Sequence, residues 1–465
     1  MLDDLKEIIA IDSVYSTPEK NAPFGKKARQ ALDWFLNKSK SYGFETGELD
    51  GYCGWAEIGS GERLIGVLCH LDVVPAGDGW TYPPYSMTVD GGRIYGRGVA
   101  DDKGALVACM HAMKSIADSG EKLNGRLRII VGCNEENGSA CMKHYAKYGE
   151  IPAASIVPDA DFPIINSEKG IISYLVKIPL DGFFKENISA FSGGIKSNVV
   201  ADRASMTIKK GSPLCAYLKK LSPTDERLFK VSPIAEALIT DGHDFKDFSI
   251  CDENGNIVIE AAGIAGHAMD PEKGDNAIWK LFCILNAVGK AFPSQVAESV
   301  FENVCSPMCC EKIGFGCCDE QSGDTTCNLG LAYIDNECLT LDLNIRIPIS
   351  CDKNSIEKLL AKKLPEGTKI EEYMYSPNLF IDKNAPLVKT LLKVYADCTG
   401  NDTYCLHTGG GTYAKELPGA VAFGPTFPDT VTNLHNTDES LPVAEFEKLF
   451  DIYRAAMLAL DKAAL

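Results

Sequence analysis

The chain has 465 residues, of which 45% are hydrophobic and 24% are charged, a composition typical of globular proteins. A chain of this length exceeds what one hydrophobic core usually supports, so we expect two domains. The formal net charge of −18 disfavours nucleic acid and anionic membranes as partners, because both would repel the protein.

The N-terminus and the cysteines bear on the cellular location. Met1–Lys6 lacks the basic start and apolar core of a signal peptide, and no run of about 18 apolar residues could span a bilayer. We therefore expect a cytoplasmic protein in which the 18 cysteines are mostly reduced thiols. Cys309-Cys310 and Cys317-Cys318 lack the C-x2-4-C spacing of structural zinc sites, so a metal there is the less favoured alternative.

The first predicted elements alternate between strands and helices. Short apolar runs predict buried strands at Leu64–Cys69, Leu127–Cys133 and Ala154–Val157. Helices are predicted between them at Ala105–Ile116 and Cys141–Tyr148. This alternation predicts the α/β class, with a mainly parallel sheet covered by helices.

The pattern changes after about residue 180, where strands and helices no longer alternate regularly. We interpret residues 181–377 as an inserted α+β domain, which separates a first part of the other domain at 1–180 from its second part at 378–465. The elements predicted in the insertion are a loop at Ser192–Gly194, strands at Asn198–Lys209, Ile257–Ile264 and Leu339–Ile347, and a helix at Asn276–Phe292.

Histidine and acidic side chains follow the three early strands. His70 and Asp72 come after the first, Glu135 and Glu136 after the second, and Asp159 after the third. Ligands of such sheets bind beyond the carboxyl ends of the strands, so we expect these side chains to lie close together. Histidine and carboxylate side chains in this position are the ligands from which two-metal hydrolytic sites are built.

Two more groups of acidic residues and histidine extend this pattern of candidate metal ligands. Each motif taken alone also has a structural explanation. Asp101-Asp102 precedes a predicted helix, and His435 stands among acids near the C-terminus. Taken alone, a His-x-Asp sequence is more often a surface loop, and a Glu-Glu pair is usually a solvated helix start. Asp101-Asp102 could likewise be a helix N-cap.

At these positions the chain resembles the M20 family of metallopeptidases, most closely its dipeptidase branch of PepV-like and carnosinase-like enzymes. Agreement of several separate motifs in family order argues against chance. The one minor departure is Asn134, where many relatives have Asp. The motifs are His70–Pro75 with Gly77–Trp80, Tyr95–Gly104, Asn134–Ser139, Pro158–Pro163 and Leu434–Glu439.

The resemblance implies a zinc-peptidase catalytic domain with an inserted lid domain. It implies two Zn²⁺ ions, which Mn²⁺ or Co²⁺ could replace because oxygen-rich ligand sets discriminate poorly among these ions. Asp101 would bridge the ions. His70 and Asp159 would complete one ligand set, and Glu136 and His435 the other.

The resemblance also implies roles for neighbouring groups. Glu135 would be the general base that takes the proton of the attacking water. Asp72 would accept the other ring N–H of His70 and fix its tautomer. Family members also have a cis peptide after the bridging aspartate, here between Asp101 and Asp102.

Several residues of the middle and C-terminal parts resemble substrate-contacting groups of the family. His267 resembles the lid histidine that stabilises an oxyanion. Asn198 resembles a substrate-contacting asparagine, and Arg346 the arginine that grips the terminal carboxylate of the substrate. Gly410 and Gly411 could present N–H groups to the same carboxylate at a helix start. Each has a structural alternative, namely a cap for the histidine, a turn for the asparagine and the glycines, and a surface charge for the arginine.

The predicted function is therefore that of a metal-dependent dipeptidase, which hydrolyses dipeptides or short peptides with a free N-terminus. One alternative is an M20 amidase that acts on N-acyl or succinylated amino acids. Another is a binding protein without chemistry, which is disfavoured because no site residue is missing. Analogy with PepV-like relatives predicts a monomer. Three histidines match no family motif and are predicted to be structural: His111, His144 and His243.

Overall fold

The computed structural model describes residues 1–220, 247–306, 309–335 and 337–464. The prediction for His243 lies outside the described residues, as does the side chain of Cys309. The described chain forms two compact units. The first contains Met1–Glu168, Leu379–His407 and Gly411–Leu465, and the second contains Lys169–Asn378 and Thr408–Gly410.

The first boundary between the units lies at 168/169, not at the predicted 180/181. The strand Gly170–Pro179 is responsible, because it pairs along its length with Cys338–Ile347 on one side and with Lys369–Ser376 on the other. These partners belong to the second unit. The second boundary, at 378/379, lies within one residue of the predicted 377/378.

A nine-stranded sheet with a parallel centre forms the first unit. Four neighbouring strands run parallel in the order Arg126–Gly132, Leu64–His70, Ala154–Val157 and Ala420–Ala422. They are almost entirely buried, as expected for parallel strands covered on both faces. The α/β prediction is confirmed for this centre. The outer strands are Glu45–Leu49, Cys53–Gly59, Ile165–Glu168, Leu379–Phe380 and Leu406–Thr408.

The helix Lys103–Ser119 extends the predicted one by a few residues at each end. Leu106, Met110 and Met113 are buried, as their helical spacing predicts. The helix ends at Gly120, whose φ of +69° is a left-handed conformation that glycine adopts without a Cβ clash. The other α-helices described in this unit are Leu2–Ile9, Lys26–Ser41, Ala140–Tyr148, Pro386–Thr399 and Val443–Lys462.

An eight-stranded antiparallel sheet forms the second unit, and helices pack against it around a separate apolar core. The inserted α+β prediction is therefore confirmed for its secondary-structure class. In sheet order the strands are Phe248–Glu253, Asn256–Ala262, Arg203–Ile208, Ile188–Gly193, Thr326–Asp335, Cys338–Ile347, Gly170–Pro179 and Lys369–Ser376. The α-helices described there are Gly182–Asn187, Pro213–Lys220, Ala277–Val288, Gln295–Asn303, Cys309–Ile313 and Lys353–Lys363.

Two elements predicted early in the insertion are wrong in extent. The predicted loop at Ser192–Gly194 is largely strand, because Ile188–Gly193 pairs on both sides. The predicted strand Asn198–Lys209 starts only at Arg203, since the preceding residues form a turn and an isolated bridge.

The long helix of the insertion is shorter than its apolar pattern predicts. It runs from Ala277 to Val288, and Asn276 is its N-cap, because the Asn276 side chain accepts the N–H of Ile278. The amide of Asn276 also donates to the carbonyl of Leu329, at 2.9 Å. The cap therefore also ties the start of the helix to the sheet.

Aromatic rings support the segment that follows Ala154–Val157. The ring centroid of buried Phe162 lies 5.0 Å from those of Phe423 and Phe427, and 5.2 Å from that of Tyr395. Edge-on and tilted ring pairs stabilise a core beyond the burial of their area.

We expect Phe162→Ala to lower the free energy of unfolding of the first unit by about 3–5 kcal/mol, because it leaves a cavity among the rings. Urea denaturation followed by circular dichroism would measure the change. Val89→Ala is the control, since Val89 is 50% exposed and should change stability by less than about 0.5 kcal/mol. Equal midpoints for Phe162→Ala and the unsubstituted protein would contradict the packing role.

Candidate metal centre

Asp101 lies between two imidazoles. Its Oδ1 is 2.7 Å from Nε2 of His70, and its Oδ2 is 2.9 Å from Nε2 of His435. Each oxygen thus faces a different imidazole, as a carboxylate shared by two ions requires. The peptide bond between Asp101 and Asp102 is cis, which is the geometry that the resemblance implies.

All five predicted ligands and the predicted base lie in one cluster of the first unit. His435 joins it through Nε2, which is 3.2 Å from Oε2 of Glu136. Two overlapping triplets make up the rest, and the potential ligand atoms of each triplet lie within 4.8 Å of one another. Among the described residues, these triplets are His70 with Asp101 and Glu136, and His70 with Glu135 and Asp159.

The carboxyl ends of three neighbouring parallel strands position much of this cluster. His70 is the last residue of Leu64–His70. Glu135 and Glu136 follow Arg126–Gly132, and Asp159 follows Ala154–Val157. Their proximity therefore follows from the strand order, as expected for a ligand site in a parallel sheet.

Asp72 contacts His70 through its backbone and the Glu135-Glu136 segment through its side chain. The ring Nδ1–H of His70 donates to the backbone carbonyl of Asp72 at 2.9 Å, whereas the Asp72 carboxylate is 3.7 Å from that nitrogen. The carboxylate accepts the backbone N–H groups of Glu135 and Glu136, at 2.9 and 3.1 Å. Asp72 thus accepts the ring N–H of His70 with its carbonyl oxygen, which leaves Nε2 available to a ligand.

Burial and crowding shift the pKa values of the cluster. Burial raises the pKa of Glu136 to about 7 and that of Asp159 to about 6, and the charge of Asp101 acts in the same direction. Burial also raises the pKa of Glu135 well above its usual range. Hydrogen bonds to Asp101 and Glu136 raise the pKa of His435 to about 11.

The donor set fits divalent metal ions. Imidazole nitrogen and carboxylate oxygen are the ligands that Zn²⁺, Mn²⁺ and Co²⁺ share. Carboxylates outnumber imidazoles, and burial together with the charges of neighbouring carboxylates raises the pKa values of Glu135, Glu136 and Asp159. Cations among these oxygen atoms would relieve that repulsion.

Two of the predicted substrate-contacting residues lie near each other within the second unit. His267 is exposed, and its Nδ1 accepts the N–H of Met269 at 3.2 Å. Asn198 lies in a turn, and its carbonyl accepts the N–H of Ala268 at 3.0 Å. Backbone pairing thus joins the two segments.

Arg346 is a buried cation whose described partners are neutral. It is 4% exposed, its Nε donates to the Asn344 side-chain oxygen at 2.8 Å, and a terminal nitrogen donates to the Gly409 carbonyl at 2.9 Å. Burial lowers the pKa of Arg346 to about 10. No carboxylate pairs with it in the described part of the chain, so an anion would be a favourable ligand.

A short 3-10 helix follows the glycine run. Gly410 belongs to the second unit and Gly411 to the first. The residues after them form a three-residue 3-10 helix, Tyr413–Lys415, capped by Thr412. The helix start that the sequence left open beside a glycine turn is therefore a single 3-10 turn. Gly410 donates its N–H to the Thr408 hydroxyl at 3.0 Å.

Two further histidines of the first unit, His111 and His144, have local partners. Nε2 of His111 is 2.7 Å from Oδ2 of Asp4, and the ring of His144 stacks on Tyr52 with centroids 4.3 Å apart. These contacts support the prediction that both are structural. Every cysteine whose side chain the structure describes is a free thiol.

Two residues of the site lay in the recognised motifs without an assigned role. Arg97 and Glu439 form a buried ion pair with 2.6 Å between nitrogen and oxygen. Their only signal in the sequence is their position, within Tyr95–Gly104 and Leu434–Glu439. Asp102 was likewise unassigned, and its carboxylate accepts the backbone N–H of His70 at 3.1 Å.

Residues 66–459 match the family model described as Peptidase family M20/M25/M40. The chain therefore belongs to this family of peptidases, and the predicted family is confirmed. Membership implies a peptide-bond hydrolase with a dinuclear metal site. Among the described helices, none is long and apolar enough to cross a membrane.

Several known proteins are similar to this chain over nearly its whole length. It is 35% identical to "Putative dipeptidase YtjP" of Bacillus subtilis (strain 168), over 99% of this chain and 97% of that protein. A Staphylococcus epidermidis (strain ATCC 12228 / FDA PCI 1200) protein described as "Putative dipeptidase" is 32% identical over the same shares. The structure of human carnosine dipeptidase 1 is similar in fold, with a TM-score of 0.59, 13% identity, and 99% and 96% of the two chains covered.

Proposed function

We propose that this protein is a di-zinc dipeptidase that hydrolyses dipeptides or short peptides with a free N-terminus. The observation that carries the proposal is the position of Asp101, whose two oxygens face His70 and His435 inside a cluster of carboxylates. Relatives described as dipeptidases support the substrate class. Mn²⁺ or Co²⁺ could replace Zn²⁺ with this donor set.

In the proposed site Asp101 would be a ligand of both ions. His70 and Asp159 would complete the ligands of one ion, and Glu136 and His435 those of the other, in agreement with the close approach of these atoms. When bound, the ions would polarise the substrate carbonyl and make a water molecule more acidic.

Glu135 is the proposed general base. Its backbone is held by Asp72, and its carboxylate lies near His70 and Asp159 without being needed in either ligand set. It would accept a proton from the attacking water and pass it to the leaving amine. His267 would donate a hydrogen bond to the oxyanion that forms during attack.

Arg346 is the proposed partner of the C-terminal carboxylate of the substrate. A guanidinium that is buried among neutral acceptors gains most from a two-pronged carboxylate contact. Asn198, Gly410 and Gly411 are the further proposed substrate contacts.

We further propose a cytoplasmic monomer. The net charge of −18 supports the absence of nucleic-acid and membrane partners, and the monomer rests on analogy with PepV-like enzymes. Sedimentation should give a mass near 50.3 kDa, and twice that mass would overturn the monomer.

The function is tested by a substrate panel with added Zn²⁺ or Mn²⁺. We expect faster hydrolysis of Ala-Ala and β-Ala-His than of N-acetylalanine, because a site built for a free amino group rejects an acylated one. The opposite preference would favour the alternative, an M20 amidase that acts on N-acyl or succinylated amino acids.

Adjacent Glu135 and Glu136 should respond differently to the same substitution. Glu135→Gln should lower kcat by about 100-fold to 10,000-fold, as loss of a general base does, while both ions stay bound. Glu136→Gln should instead lose one ion. Steady-state kinetics and metal analysis of the dialysed proteins measure both effects. A Glu135→Gln protein that turns over normally, or that loses an ion, would reject the assignment of the base.

Substitution of Arg346 should act through the substrate carboxylate. Arg346→Met should lower kcat/KM for Ala-Ala by about 10-fold to 100-fold, because a hydrogen-bonded charge contact is lost. It should change hydrolysis of Ala-Ala amide little, since that substrate has no carboxylate. Arg203→Met is the control, because Arg203 is an exposed arginine of the same unit. An equal loss for both substrates would contradict the role.

A further inference from the structure

One buried ion pair joins the two loops that carry Asp101 and His435. Arg97 and Glu439 are each 1% exposed, and a terminal nitrogen of Arg97 lies 2.6 Å from Oε2 of Glu439. The two residues are 342 positions apart in the chain. A pair that is so fully withdrawn from water is costly, and Nε of Arg97 has no hydrogen-bond partner among the described residues, so the contacts that the pair does make show what it holds.

The Glu439 carboxylate accepts hydrogen bonds from several backbone N–H groups of the loop that ends at Asp101. Oε1 accepts the N–H groups of Gly98 and Ala100 at 3.0 Å each, and that of Asp101 at 3.3 Å. Oε2 accepts the N–H of Gly98 at 3.1 Å. One ionised side chain therefore fixes the path of the main chain up to the proposed bridging ligand.

Arg97 holds the other loop. Its second terminal nitrogen donates to the carbonyl of Asn436, the residue after His435, at 3.1 Å. The ring of Trp80 lies against the guanidinium, 5.1 Å away. His435 itself has a φ of +59°, a left-handed conformation that is uncommon for residues other than glycine. Such a conformation persists only where surrounding contacts determine it, and Arg97 supplies one of them.

The pair acts more on one side of the cluster than on the other. It holds the loops of Asp101 and His435. His435 belongs only to the proposed ligand set that includes Glu136, whereas Asp101 is shared by both sets, because its Oδ2 faces His435 and its Oδ1 faces His70. His70 and Asp159 are placed by strand ends, and no hydrogen bond described for either residue involves Glu439 or Arg97. Loosening the pair should therefore move one ligand set more than the other.

We propose that Glu439 and Arg97 are positioning residues that raise the metal affinity of the position formed with Glu136 and His435 more than that of the position formed with His70 and Asp159. This inference rests on the ligand assignment of the proposed function. It assigns neither residue a contact with substrate or metal.

The test measures metal affinity in the folded full-length protein after removal of metal with a chelator. Calorimetric titration with Zn²⁺ should show two ions in the unsubstituted protein. Glu439→Gln, which keeps the shape but removes the charge, should weaken the binding of one ion by about 10-fold to 100-fold, as loss of an outer hydrogen-bond partner does, and weaken the binding of the other ion by a smaller factor. Visible absorption on titration with Co²⁺ gives a second readout.

Glu57→Gln is the matched control. Glu57 and Arg128 form another buried ion pair of the first unit, at 2.6 Å and with each residue 7% exposed, on the strands Cys53–Gly59 and Arg126–Gly132. Loss of the Glu57–Arg128 ion pair should lower the midpoint of thermal unfolding of the metal-free protein. It should leave the affinities for both Zn²⁺ ions unchanged. A similar loss of affinity in Glu57→Gln would show that Glu439→Gln acts through general destabilisation, and would overturn the proposal.

A double variant identifies which ion responds. In Glu136→Gln, which should already lack the more affected ion, adding Glu439→Gln should weaken the remaining ion by less than about 10-fold, because only the shared Asp101 connects Glu439 with that position. A further large loss in the double variant would place the effect on the other ion and overturn the proposal.

The remaining outcomes separate this inference from the proposed function. Two ions with unchanged affinities in folded Glu439→Gln would overturn the inference alone. An unsubstituted protein that binds fewer than two ions would overturn the proposed function, and the inference with it. If Glu439→Gln does not fold, Arg97→Lys replaces it, since lysine keeps the charge but lacks the forked donors. It should weaken the same ion, and affinities equal to those of the unsubstituted protein would overturn the inference.

Discussion

The structure of the first unit depends on one electrostatic constraint, the burial of several carboxylates together at the ends of parallel strands. Burial raises the pKa of Glu135 well above its usual range and that of Glu136 to about 7, because an ionised carboxylate loses hydration there and is repelled by its neighbours. The imidazoles of His70 and His435 supply only part of the opposing charge. Cations complete it, so the surrounding groups serve mainly to hold ligand atoms at defined positions.

The fold meets this constraint with three kinds of support. Strand ends place His70 and Asp159, since neighbouring parallel strands finish at the same edge of the sheet. The Asp72 carboxylate holds the turn that carries Glu135 and Glu136. The loops of Asp101 and His435 lie outside the strands, and there a buried ion pair replaces the missing sheet hydrogen bonds. Precision at the site thus comes from charge-assisted contacts to backbone.

Sequence patterns predicted those elements whose environment is uniform along their length. The strands Leu64–His70 and Ala154–Val157 are buried on both faces, so continuous apolar runs mark them. Local pattern failed where pairing decided the outcome. Gly170–Pro179 is apolar enough for either sheet, and only its partners assign it to the second unit. Residues before Arg203 have strand-like composition, yet they form a turn.

The sequence by itself determined the chemical inventory: the α/β alternation, the family, and which histidines and carboxylates follow which strands. These features are local, since strand ends and short motifs are read within a few residues. Only the tertiary structure decided that the Asp72 carbonyl, not its carboxylate, contacts His70, and that Glu439 supports the Asp101 loop. Such partners are chosen by packing of distant segments, where a difference of about 1 Å separates a hydrogen bond from none.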